Sequence, residues 1–579
     1  MNKPIYEVRK IVNLKDMLNQ SAEIHGDSPA FKFKTETPGE FRTISFKEFK
    51  NQVDSLGTAL INMGLKDKSI AVISENRQEW TVCYLAAACG TGVVVPLDRS
   101  LPDNEIESLL IRSESECIFY SNNYNKIMKE IADKKSTNIK YFILMDDVGV
   151  AVNSDPDACK QVSLHKIMEE GKKLLEEGNR DFLDAEIDEE KMGFMLFTSG
   201  TTSISKAVML SHRNICRDIM DIGSVIKIDE RDTLLSFLPL HHTFECTVGF
   251  LYIVYAGGAI AYCDGVRHIA DNIKEYNITA MISVPILFEN MYKKVLKGIE
   301  KKGMLPKVEK GLKISNILRK VGIDLRAKLF KQIHESLGSD LRLFVSGGAA
   351  LDPVVEKGYS DLGFTIFQGY GLTETSPVFA SGNDKGTRIG SVGKVYPSFE
   401  VKIHEKDGNG IGEIAVKGPT VMLGYYNDQE ATEDVLKDGW LYTGDLGYID
   451  SAGFLFITGR KKNVIVLKNG KNIFPEELEN VINRISIVKE SFVYGKPDRD
   501  GDTKICAKIV YDSTVVKEEL GEKTEEEVLD IVWKEVKAIN KKMPAYKYIR
   551  EVVATEEELI KTTTQKVKRH EELKKMLDV

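Results

Sequence analysis

The stretch Phe197-Thr-Ser-Gly-Thr-Thr-Ser-Ile-Ser-Lys-Ala207 lies between two apolar runs, Met192 to Phe197 and Ala207 to Leu210. It contains six hydroxyl side chains, one glycine and one lysine. Hydroxyls and free backbone N–H groups can converge on anionic oxygens, and the ammonium of Lys206 adds a point charge. The stretch therefore predicts a phosphate-binding loop, with a Ser/Thr-rich surface hairpin as the alternative.

The same stretch differs from the Walker A pattern at two positions. Ser205 stands where the second glycine belongs, and Ala207 stands where Ser or Thr belongs. The residues that follow, Ala-Val-Met-Leu-Ser, favour a short buried strand, whereas a Walker loop opens a helix. We therefore predict a strand–loop–strand phosphate grip and not a P-loop NTPase.

Before this loop, helical and strand-like segments alternate. Apolar residues recur at helical spacing from Ser45 to Met63 and stop at Gly64, and a buried strand is predicted from Ser69. The alternation continues to about residue 121, which predicts parallel βαβ units with helices on both faces of a sheet. The large N-terminal body is thus expected to have an α/β fold.

The sequence pattern changes towards the C-terminus. After Gly382, short strands with Gly-rich turns predict a small antiparallel β subdomain. Beyond Arg460 we expect a small, mobile α+β domain with a charged helix from Lys517 to Lys541. The predicted domains are residues 1–461 and 462–579.

Two segments are predicted to be charged helical excursions, residues 155–191 and the Lys-rich segment Lys293 to Leu337. The basic face of the second could dock a partner, but a solvated helix face is the preferred interpretation.

Charge excludes some classes of partner. The chain has 579 residues, 42% of them apolar, and a formal net charge of −8 with basic and acidic residues interspersed. Such a balance provides no basic field for a nucleic acid backbone or an anionic membrane, so no nucleic acid partner is expected and an anionic membrane is disfavoured as a partner. A chain of this length should fold into at least two domains.

Cysteine usage and hydropathy indicate the compartment. The eight cysteines contain no C-x-x-C pair, which fits neither a disulfide scaffold nor a zinc site. The N-terminus lacks the apolar core of a signal peptide, and the most apolar run, Val248 to Cys263, is too short for a membrane helix. We expect a soluble cytoplasmic protein without a transmembrane segment, and leave transient membrane contact open.

Three further stretches carry polar groups suited to a nucleotide. In Gln368-Gly-Tyr-Gly-Leu-Thr-Glu-Thr, Tyr370 could stack on a base and Glu374 could bind phosphate-bound Mg²⁺, although an ordinary turn is an equal alternative. Asp445 could accept both hydroxyls of a ribose, and Arg460 could share them. Asp445 and Arg460 could instead form a structural ion pair.

The stretch Leu238-Pro-Leu-His-His-Thr-Phe-Glu places two histidines together. A zinc site would need a third ligand at suitable spacing, and no H-E-x-x-H motif is present, so zinc is disfavoured. G-x-S-x-G and G-x-G-x-x-G are also absent, which disfavours a serine hydrolase and a dinucleotide oxidoreductase.

Together these motifs resemble those of the adenylate-forming superfamily, which includes acyl-CoA synthetases, luciferases and peptide-synthetase adenylation domains. The resemblance covers nearly the whole chain. It rests on five motifs in order, which are Thr198-Ser-Gly-Thr-Thr with Lys206, Gly369-Tyr-Gly-Leu-Thr-Glu, Tyr442-Thr-Gly-Asp445, Gly459-Arg460 and Lys561-Thr-Thr-Thr-Gln-Lys-Val-Lys-Arg. Three blocks, including Asn472-Ile-Phe-Pro-Glu-Glu-Leu-Glu, look most like bacterial fatty acyl-CoA ligases.

The resemblance implies roles for residues at matching positions. The catalytic set would be Lys566, Glu374, Thr373 and Lys206, with Glu374 also the Mg²⁺ ligand. The ATP and AMP site would comprise Thr198, Ser199, Gly200, Thr201, Thr202, Gly348, Tyr370, Gly371, Asp445 and Arg460. His241, His242 and Gly470 would line the acyl and thiol path, and Lys462 would be the hinge.

This chain departs from the family at flexible positions. Ser203, Ser205 and Ala207 replace the usual Gly, Pro and Gly, and Gln565 replaces a usual Gly. A left-handed backbone at Ser203 would cost roughly 1–2 kcal/mol, which the loop could tolerate. A degenerate, inactive member is an alternative.

The implied function is ATP-dependent activation of a fatty acid, expected to be long-chain, to acyl-AMP, followed by transfer to CoA. ATP, Mg²⁺ and CoA are the expected cofactors and substrates, and the protein would act as a monomer or homodimer. The alternatives are an acyl-AMP ligase that loads a carrier protein and a non-catalytic nucleotide-binding module.

Overall fold

A computed structural model describes residues 3–37, 39–146, 160–198, 205–468, 470–498, 503–562 and 566–577. The chain divides into two compact units. The first contains Met1–Thr198, Ser205–Glu400 and Lys417–Leu436, and the second contains Val401–Val416 and Lys437–Val579. The domain boundary predicted between residues 461 and 462 separates two parts that are expected to move independently. The two compact units do not test that prediction.

Strands and helices alternate from about residue 44 to residue 121, as the sequence predicts, whereas the segment 155–191, predicted to be helical, has a strand at Lys160–Ser163 before its helix Leu164–Glu176. In chain order the elements up to Thr198 are α1 (Leu14–His25), β1 (Pro29–Lys34), β2 (Phe41–Ser45), α2 (Phe46–Asn62), β3 (Lys68–Ile73), α3 (Gln78–Ala86), β4 (Gly92–Pro96), α4 (Asp103–Arg112), β5 (Cys117–Tyr120), α5 (Asn125–Lys134), β6 (Tyr141–Leu144), β7 (Lys160–Ser163), α6 (Leu164–Glu176) and β8 (Met192–Thr198). A capping box between Ser45 and Glu48 starts α2, because each side chain accepts a hydrogen bond from the other residue's backbone N–H.

The middle of the chain contains the longest helical stretch. Its elements are β9 (Lys206–Ser211), α7 (His212–Gly223), β10 (Thr233–Ser236), α8 (Tyr252–Ala256), β11 (Ala259–Tyr262), α9 (Ile269–Glu275), β12 (Ala280–Ser283), α10 (Pro285–Lys301), α11 (Leu305–Arg319), α12 (Arg326–Leu329), α13 (Lys331–Leu337), β13 (Leu343–Ser346), α14 (Pro353–Leu362), β14 (Thr365–Gly371), β15 (Val378–Ser381), β16 (Lys394–Val395), β17 (Glu400–His404), β18 (Gly412–Lys417), β19 (Gly424–Tyr425) and α15 (Gln429–Val435). A π-helical segment, Phe244–Leu251, leads into α8.

The described C-terminal residues form four helices and strands of 2 to 10 residues. They are β20 (Leu436–Lys437), β21 (Trp440–Ile449), β22 (Leu455–Arg460), β23 (Ile465–Val466), β24 (Asn472–Ile473), α16 (Pro475–Ile482), β25 (Val488–Pro497), β26 (Thr503–Tyr511), α17 (Ser513–Leu520), α18 (Glu525–Asn540), β27 (Glu551–Thr555) and α19 (Arg569–Leu577). The single helix predicted from Lys517 to Lys541 is wrong. Gly521 ends α17 with a φ of 80°, and a capping box at Thr524 starts α18.

Two sheets dominate the first unit. Sheet I has the order β19-β9-β8-β4-β3-β5-β6-β7, and its strands run parallel from β8 to β7. Sheet II has the order β16-β15-β14-β13-β12-β10-β11-β1-β2 and is parallel from β14 to β1. Each sheet buries its own apolar cluster. The α/β class predicted for the body is confirmed.

The carboxyl ends of the parallel strands in sheet II carry polar side chains. Ser236 pairs in register with Tyr262, and Ser346 pairs with both Ser283 and Gln368. The carboxyl edge of a parallel sheet is where α/β proteins commonly bind ligands. This edge is therefore the first place to look for a site.

The remaining sheets are smaller. Strands β17, β18, β21, β20 and β22 form the five-stranded sheet III, in which β18, β21 and β22 pair antiparallel. This confirms the antiparallel subdomain expected after Gly382. Strands β25, β26 and β27 form a three-stranded sheet, and its apolar core includes residues of α16 and α18. Within the described ranges, no helix is both long and apolar enough to cross a bilayer.

Candidate functional site

The stretch from Phe197 to Ala207 is a strand–loop–strand element, as predicted. Strands β8 and β9 pair antiparallel, with Phe197 opposite Ala207 and Thr198 opposite Lys206. The loop between them, with Ser199, Gly200, Thr201, Thr202 and Ser203, lies outside the described residues. The described strand ends fix where the loop leaves and re-enters sheet I.

The Arg112 side chain contacts the backbone immediately before β9. Its guanidinium donates a hydrogen bond to the Ser205 carbonyl at 2.7 Å and lies over the Phe197 ring at 5.2 Å. Sequence reasoning missed this arginine, which ends α4 and has no motif around it. Its contact fixes the backbone of Ser205, one of the positions at which the chain departs from the family.

Tyr425 connects two residues that the sequence placed in separate motifs. Its hydroxyl donates a hydrogen bond to a carboxylate oxygen of Glu374 at 2.8 Å, and the Lys206 ammonium lies over its ring at 4.6 Å. Burial and the neighbouring Glu374 raise the pKa of Tyr425, so the hydroxyl stays protonated as a donor. Tyr425 was not predicted, and only its pairing with Val208 in sheet I brings it here.

The turn that presents Thr373 and Glu374 is held tightly. Thr375 donates through its hydroxyl to the Pro377 carbonyl, and Thr420 donates to the Thr375 carbonyl at 2.7 Å. Gly371 is required by close approach, because a Cβ there would lie 1.7 Å from the Pro377 carbonyl oxygen. The backbone therefore fixes the direction of the Glu374 side chain.

Other residues predicted around the nucleotide also lie in the first unit. Tyr370 is buried and meets the Phe379 ring edge-on with centroids 4.8 Å apart. Gly348 follows the carboxyl end of β13 and has a φ of 83°. Both residues lie at the same edge of sheet II as Ser346 and Gln368.

The two predicted ribose residues come together in the second unit. Asp445 and Arg460 are opposite each other on β21 and β22, and the Arg460 Nε lies 2.7 Å from an Asp445 carboxylate oxygen. The Asp445 side chain is buried, whereas that of Arg460 is 40% exposed. The ion pair that the sequence left as an alternative is present, and it does not exclude a ribose, since a carboxylate has several acceptor positions.

The closing motif forms a small hairpin in the second unit. Lys561 bridges to Val567, and Thr562 donates its backbone N–H to the Lys566 carbonyl at 2.8 Å. Lys566 is exposed at the described end of this hairpin, and Gln565 lies outside the described residues. The hairpin thus presents the predicted catalytic lysine to solvent.

Two further predicted residues lie in the same unit. Lys462 lies in the helical turn Lys461–Asn463 that follows β22. Gly470 lies in the turn between β23 and β24, has a φ of 75°, and donates its N–H to the Leu467 carbonyl at 2.8 Å.

The two histidines lie close to an acid that the sequence did not single out. Their rings are 4.4 Å apart, and the His241 Nε2 lies 3.5 Å from the Asp98 carboxylate just beyond β4. One ligand atom from each of Asp98, His241 and His242 lies within 4.8 Å of the others. Asp98 is thus a third possible ligand beside the two histidines, and it comes from sheet I, which sequence spacing does not show. These three groups could hold a divalent cation.

A buried network holds the loop that carries the histidines. The Asn76 amide donates to the Leu238 carbonyl at 2.6 Å and to the Ser236 hydroxyl at 3.2 Å. Ser236 in turn donates to a Glu245 carboxyl oxygen at 2.5 Å. Burial raises the pKa of Glu245 to about 8, so this side chain is largely neutral at pH 7. The sequence analysis quotes Glu245 at the end of the histidine stretch without giving it a role, and it does not single out Asn76.

Family models match most of the chain. The model described as AMP-binding enzyme covers residues 18–426, and the one described as AMP-binding enzyme C-terminal domain covers residues 462–578.

Curated relatives match over most of their length. Long-chain-fatty-acid–CoA ligase 5 of Rattus norvegicus is 31% identical over 79% of this chain and 69% of that protein. Long-chain-fatty-acid–CoA ligase 6 of Homo sapiens is 29% identical over 83% of this chain and 71% of that protein. Fatty acyl-CoA synthetase B of Dictyostelium discoideum is 27% identical over 84% of this chain and 75% of that protein.

Solved structures share the fold. An anthranilate CoA ligase in complex with anthranoyl-AMP superposes with a TM-score of 0.76 at 19% identity, over 99% of this chain and 98% of that one. The o-succinylbenzoate coenzyme A synthetase of Bacillus subtilis, in complex with ATP and magnesium ion, gives 0.69 at 22% identity, over 96% of this chain and 98% of that one. Since the first family model alone spans more than half of the sequence, this chain belongs to the AMP-binding enzyme family.

Proposed function

We propose that this protein is an acid–thiol ligase that activates a fatty acid, with long-chain acids preferred, to acyl-AMP with ATP and then transfers the acyl group to CoA. Family membership and the names of the curated relatives support the ligase class. The observation that carries the proposal is the grouping of Lys206, Tyr425 and Glu374 beside the hairpin of β8 and β9.

Electrostatics explains why adenylation needs such a grouping. The acyl carboxylate must attack the α-phosphate of ATP, and two unit negative charges 4 Å apart repel by about 1 kcal/mol in water and several-fold more in a dry pocket. In the proposal, Lys206 supplies positive charge to the phosphates, and Thr198 and Thr373 supply hydroxyl donors. The loop residues Ser199 to Thr202 have the same proposed role, although they lie outside the described part of the chain.

The residues near Glu374 fit a magnesium ion. A carboxylate is a hard oxygen ligand of the kind that Mg²⁺ prefers, and the Tyr425 hydrogen bond fixes one of its two oxygens. When bound, Mg²⁺ would neutralise phosphate charge. The part of this chain would be to hold the carboxylate in one orientation, which the braced turn at Thr375 supports.

We assign the ribose to Asp445 and Arg460, and base stacking to Tyr370 with Gly348 and Gly371 beside it. The buried Asp445 carboxylate and the half-exposed Arg460 guanidinium provide acceptors and donors for two hydroxyls. Lys566 is assigned to the transition state of adenylation, where it would meet the developing negative charge.

The acyl and thiol path is assigned to His241, His242 and Gly470. The network of Asn76, Ser236 and Glu245 supports the histidine assignment, because it holds the Leu238 to Leu240 backbone immediately before the two rings. In this proposal Lys462 is the hinge between residues 1–461 and 462–579.

The proposal is tested by measuring ATP–pyrophosphate exchange with a panel of carboxylic acids of different chain lengths. Exchange is expected with long-chain acids, and Lys566→Ala should lower it on the order of 10²- to 10³-fold without unfolding the protein. Lys568→Ala is the matched control, since Lys568 is a surface lysine of the same motif, paired with Glu571 at 3.1 Å. Wild-type exchange by the Lys566 variant would disprove the role of Lys566.

The acceptor is tested separately. Formation of a thioester with free CoA is expected, and transfer only to a phosphopantetheine carrier protein would identify an acyl-AMP ligase instead. ATP binding without exchange for any acid would show that Ser203, Ser205, Ala207 and Gln565 mark an inactive member.

A further inference from the structure

The helices α10 to α13 carry a charge opposite to that of the whole protein. Residues 293–331 contain thirteen Lys and Arg but only three Asp and Glu, which gives this segment a net charge of +10. The complete chain has a net charge of −8, so the remaining residues sum to −18. A field of one sign concentrated on one segment attracts polyanionic surfaces.

Apolar side chains are exposed in the middle of this basic segment. Ile314 and Ile317 lie three residues apart on α11 and are 41% and 67% exposed. Val321 and Ile323 follow just beyond the helix and are 70% and 47% exposed. We call these four residues the isoleucine–valine face. Single exposed apolar residues are ordinary, but four of them within ten residues of a charged segment indicate an interaction surface.

The other face of α11 is already used in the core. Gly311 and Ser315 are buried, and Val308 and Leu312 pack against the apolar cluster of sheet II. The helix therefore has two apolar faces, of which only one is covered by the protein itself. The exposed apolar residues are therefore additional to those that pack α11 against the core.

Hydrogen bonds hold the isoleucine–valine face in shape. Ile323 donates its N–H to the Leu318 carbonyl at 3.0 Å, and Val321 donates to the same carbonyl at 3.0 Å. Gly322 has a φ of 80°, the left-handed conformation that closes a helix end. The turn thus keeps Val321 and Ile323 next to α11.

Lysines surround the face. Lys310, Lys313 and Lys320 are all exposed and lie within four residues of Ile314 or Ile317. Residues three or four apart on a helix are neighbours on its surface, so these ammonium groups border the apolar side chains. An arrangement of apolar residues within a basic border matches a lipid bilayer with anionic headgroups, where the cations meet phosphates and the apolar groups enter the acyl boundary.

We propose that the isoleucine–valine face, with Lys310, Lys313 and Lys320, docks this protein on the surface of an anionic phospholipid bilayer. A nucleic acid would satisfy the charge but would leave the four apolar side chains without a partner. A second copy of the chain would bring two segments of +10 together, and their repulsion opposes that pairing. Charge complementarity therefore favours the bilayer.

Vesicle flotation of the full-length protein tests this proposal without ATP, fatty acid or CoA, so its outcome is independent of the proposed reaction. The probe is vesicles of phosphatidylcholine with about 30% phosphatidylglycerol, compared with phosphatidylcholine alone. Binding to the anionic vesicles is expected, weakening about tenfold between roughly 0.1 and 0.5 M NaCl as screening shortens the range of the charges.

Two sets of variants separate charge from apolar insertion. Replacing Lys310, Lys313 and Lys320 together with Glu should weaken vesicle binding by at least about tenfold. Its matched control replaces Lys166, Lys172 and Lys173 on α6, which are also exposed, and should change binding less than about twofold.

The apolar variant Ile314→Ser/Ile317→Ser/Val321→Ser should also lose vesicle binding, although it keeps every charge. Its control, Ile24→Ser/Ile111→Ser/Val266→Ser, removes apolar residues of comparable exposure outside the segment and should bind as the wild type does. Thermal unfolding midpoints close to the wild type would show that all four variants fold.

Three results would overturn the proposal. The first is that the wild type, the triple lysine variant and the triple apolar variant all bind neutral and anionic vesicles equally. The second is binding of an oligonucleotide, but not of vesicles, that the lysine variant abolishes. The third is that the wild type does not bind vesicles but self-associates in sedimentation experiments, and that the apolar variant does not self-associate.

Discussion

Tyr425 is a single residue through which two separate motifs meet. Its hydroxyl fixes one oxygen of Glu374, and its ring faces the ammonium of Lys206. A cation over an aromatic face is stabilised by the ring's electron density, so the same side chain orients an anion and a cation. If Glu374 binds Mg²⁺, Tyr425 is a positioning residue for the metal site.

Tyr425→Phe separates these two contacts, because it removes the hydroxyl and keeps the ring. Hydrogen bonds to charged groups are worth about 1.5–3 kcal/mol, and Glu374 is only half-buried, so the Mg²⁺ concentration for half-maximal exchange should rise about 5- to 10-fold. The measurement is ATP–pyrophosphate exchange over a Mg²⁺ titration. Tyr426→Phe, which removes a hydroxyl from the next residue, is the control and should leave the titration unchanged.

If Tyr425→Phe leaves the Mg²⁺ dependence unchanged while lowering exchange at every concentration, the hydrogen bond to Glu374 matters for a step other than metal binding, since the ring contact with Lys206 is retained. That result would contradict the assignment of Glu374 as the metal ligand.

The π-helical segment Phe244–Leu251 is the element that brings a carboxyl group under the carboxyl edge of sheet II. Glu245 is fully buried on it, and one of its oxygens accepts from Ser236 at the end of β10. Glycine at position 249 makes room, because a Cβ there would lie 3.0 Å from the Glu245 carboxyl carbon. The packing of this element therefore decides the protonation of its acid.

Glu245 makes the stability of the protein depend on pH. Its pKa is about 8 in the folded protein and 4.5 for the ordinary side chain, so between these values the folded state holds a proton that the unfolded state has released. The contribution of Glu245 to stability is therefore fully present below about pH 4.5 and is lost as the pH rises towards 8, by at most about 1.4 kcal/mol for each unit of pKa difference.

Glu245→Gln removes this titration and keeps the shape of the neutral acid. The variant should unfold near the wild-type temperature at pH 5 and at a higher temperature than the wild type at pH 8.5. Thermal unfolding followed by circular dichroism over this pH range measures the difference. Glu105→Gln, at an exposed site on α4, is the control. A gap between wild type and Glu245→Gln that is the same at every pH would contradict the protonated state.

At the scale of the whole molecule, the proposed reaction has two chemical steps, and different residues are assigned to them. Lys566 is assigned to adenylation, whereas Gly470 is assigned to the path of the thiol. Gly470 has a φ of 75°, and nothing lies within 4 Å of a Cβ built on it. Any side chain at position 470 is destabilised by the left-handed backbone conformation. Only a large side chain would also occupy the open space next to this position.

Gly470→Leu should slow thioester formation at least about tenfold while adenylation stays near the wild-type rate. Gly470→Ala is the matched control, because it carries the same backbone cost of roughly 1–2 kcal/mol without the bulk. Single-turnover measurements of acyl-AMP formation and of acyl-CoA formation report the two steps separately. Equal slowing of both steps by Leu would contradict the assignment of Gly470 to the thiol path.

Features that depend on neighbours along the chain are predictable from the sequence alone. The alternation of strands and helices from about residue 44 to residue 121 and the two strands that flank the loop after Thr198 follow from short-range periodicity and turn residues, and the structure confirms both. Order along the chain also identified the five motifs. The helix predicted from Lys517 to Lys541 failed because a single glycine and a capping threonine outweighed the charge pattern.

Contacts between residues far apart in the chain depend on how the sheets pack. Tyr425 reaches Glu374 through its pairing with β9, Asp98 reaches His241 from another sheet, and Asn76 holds the backbone before the histidines. Strand order and register set these contacts, and neither is encoded in local spacing. The sequence therefore fixes the chemical groups of the candidate site, while the long-range packing of the sheets selects the partners that orient them.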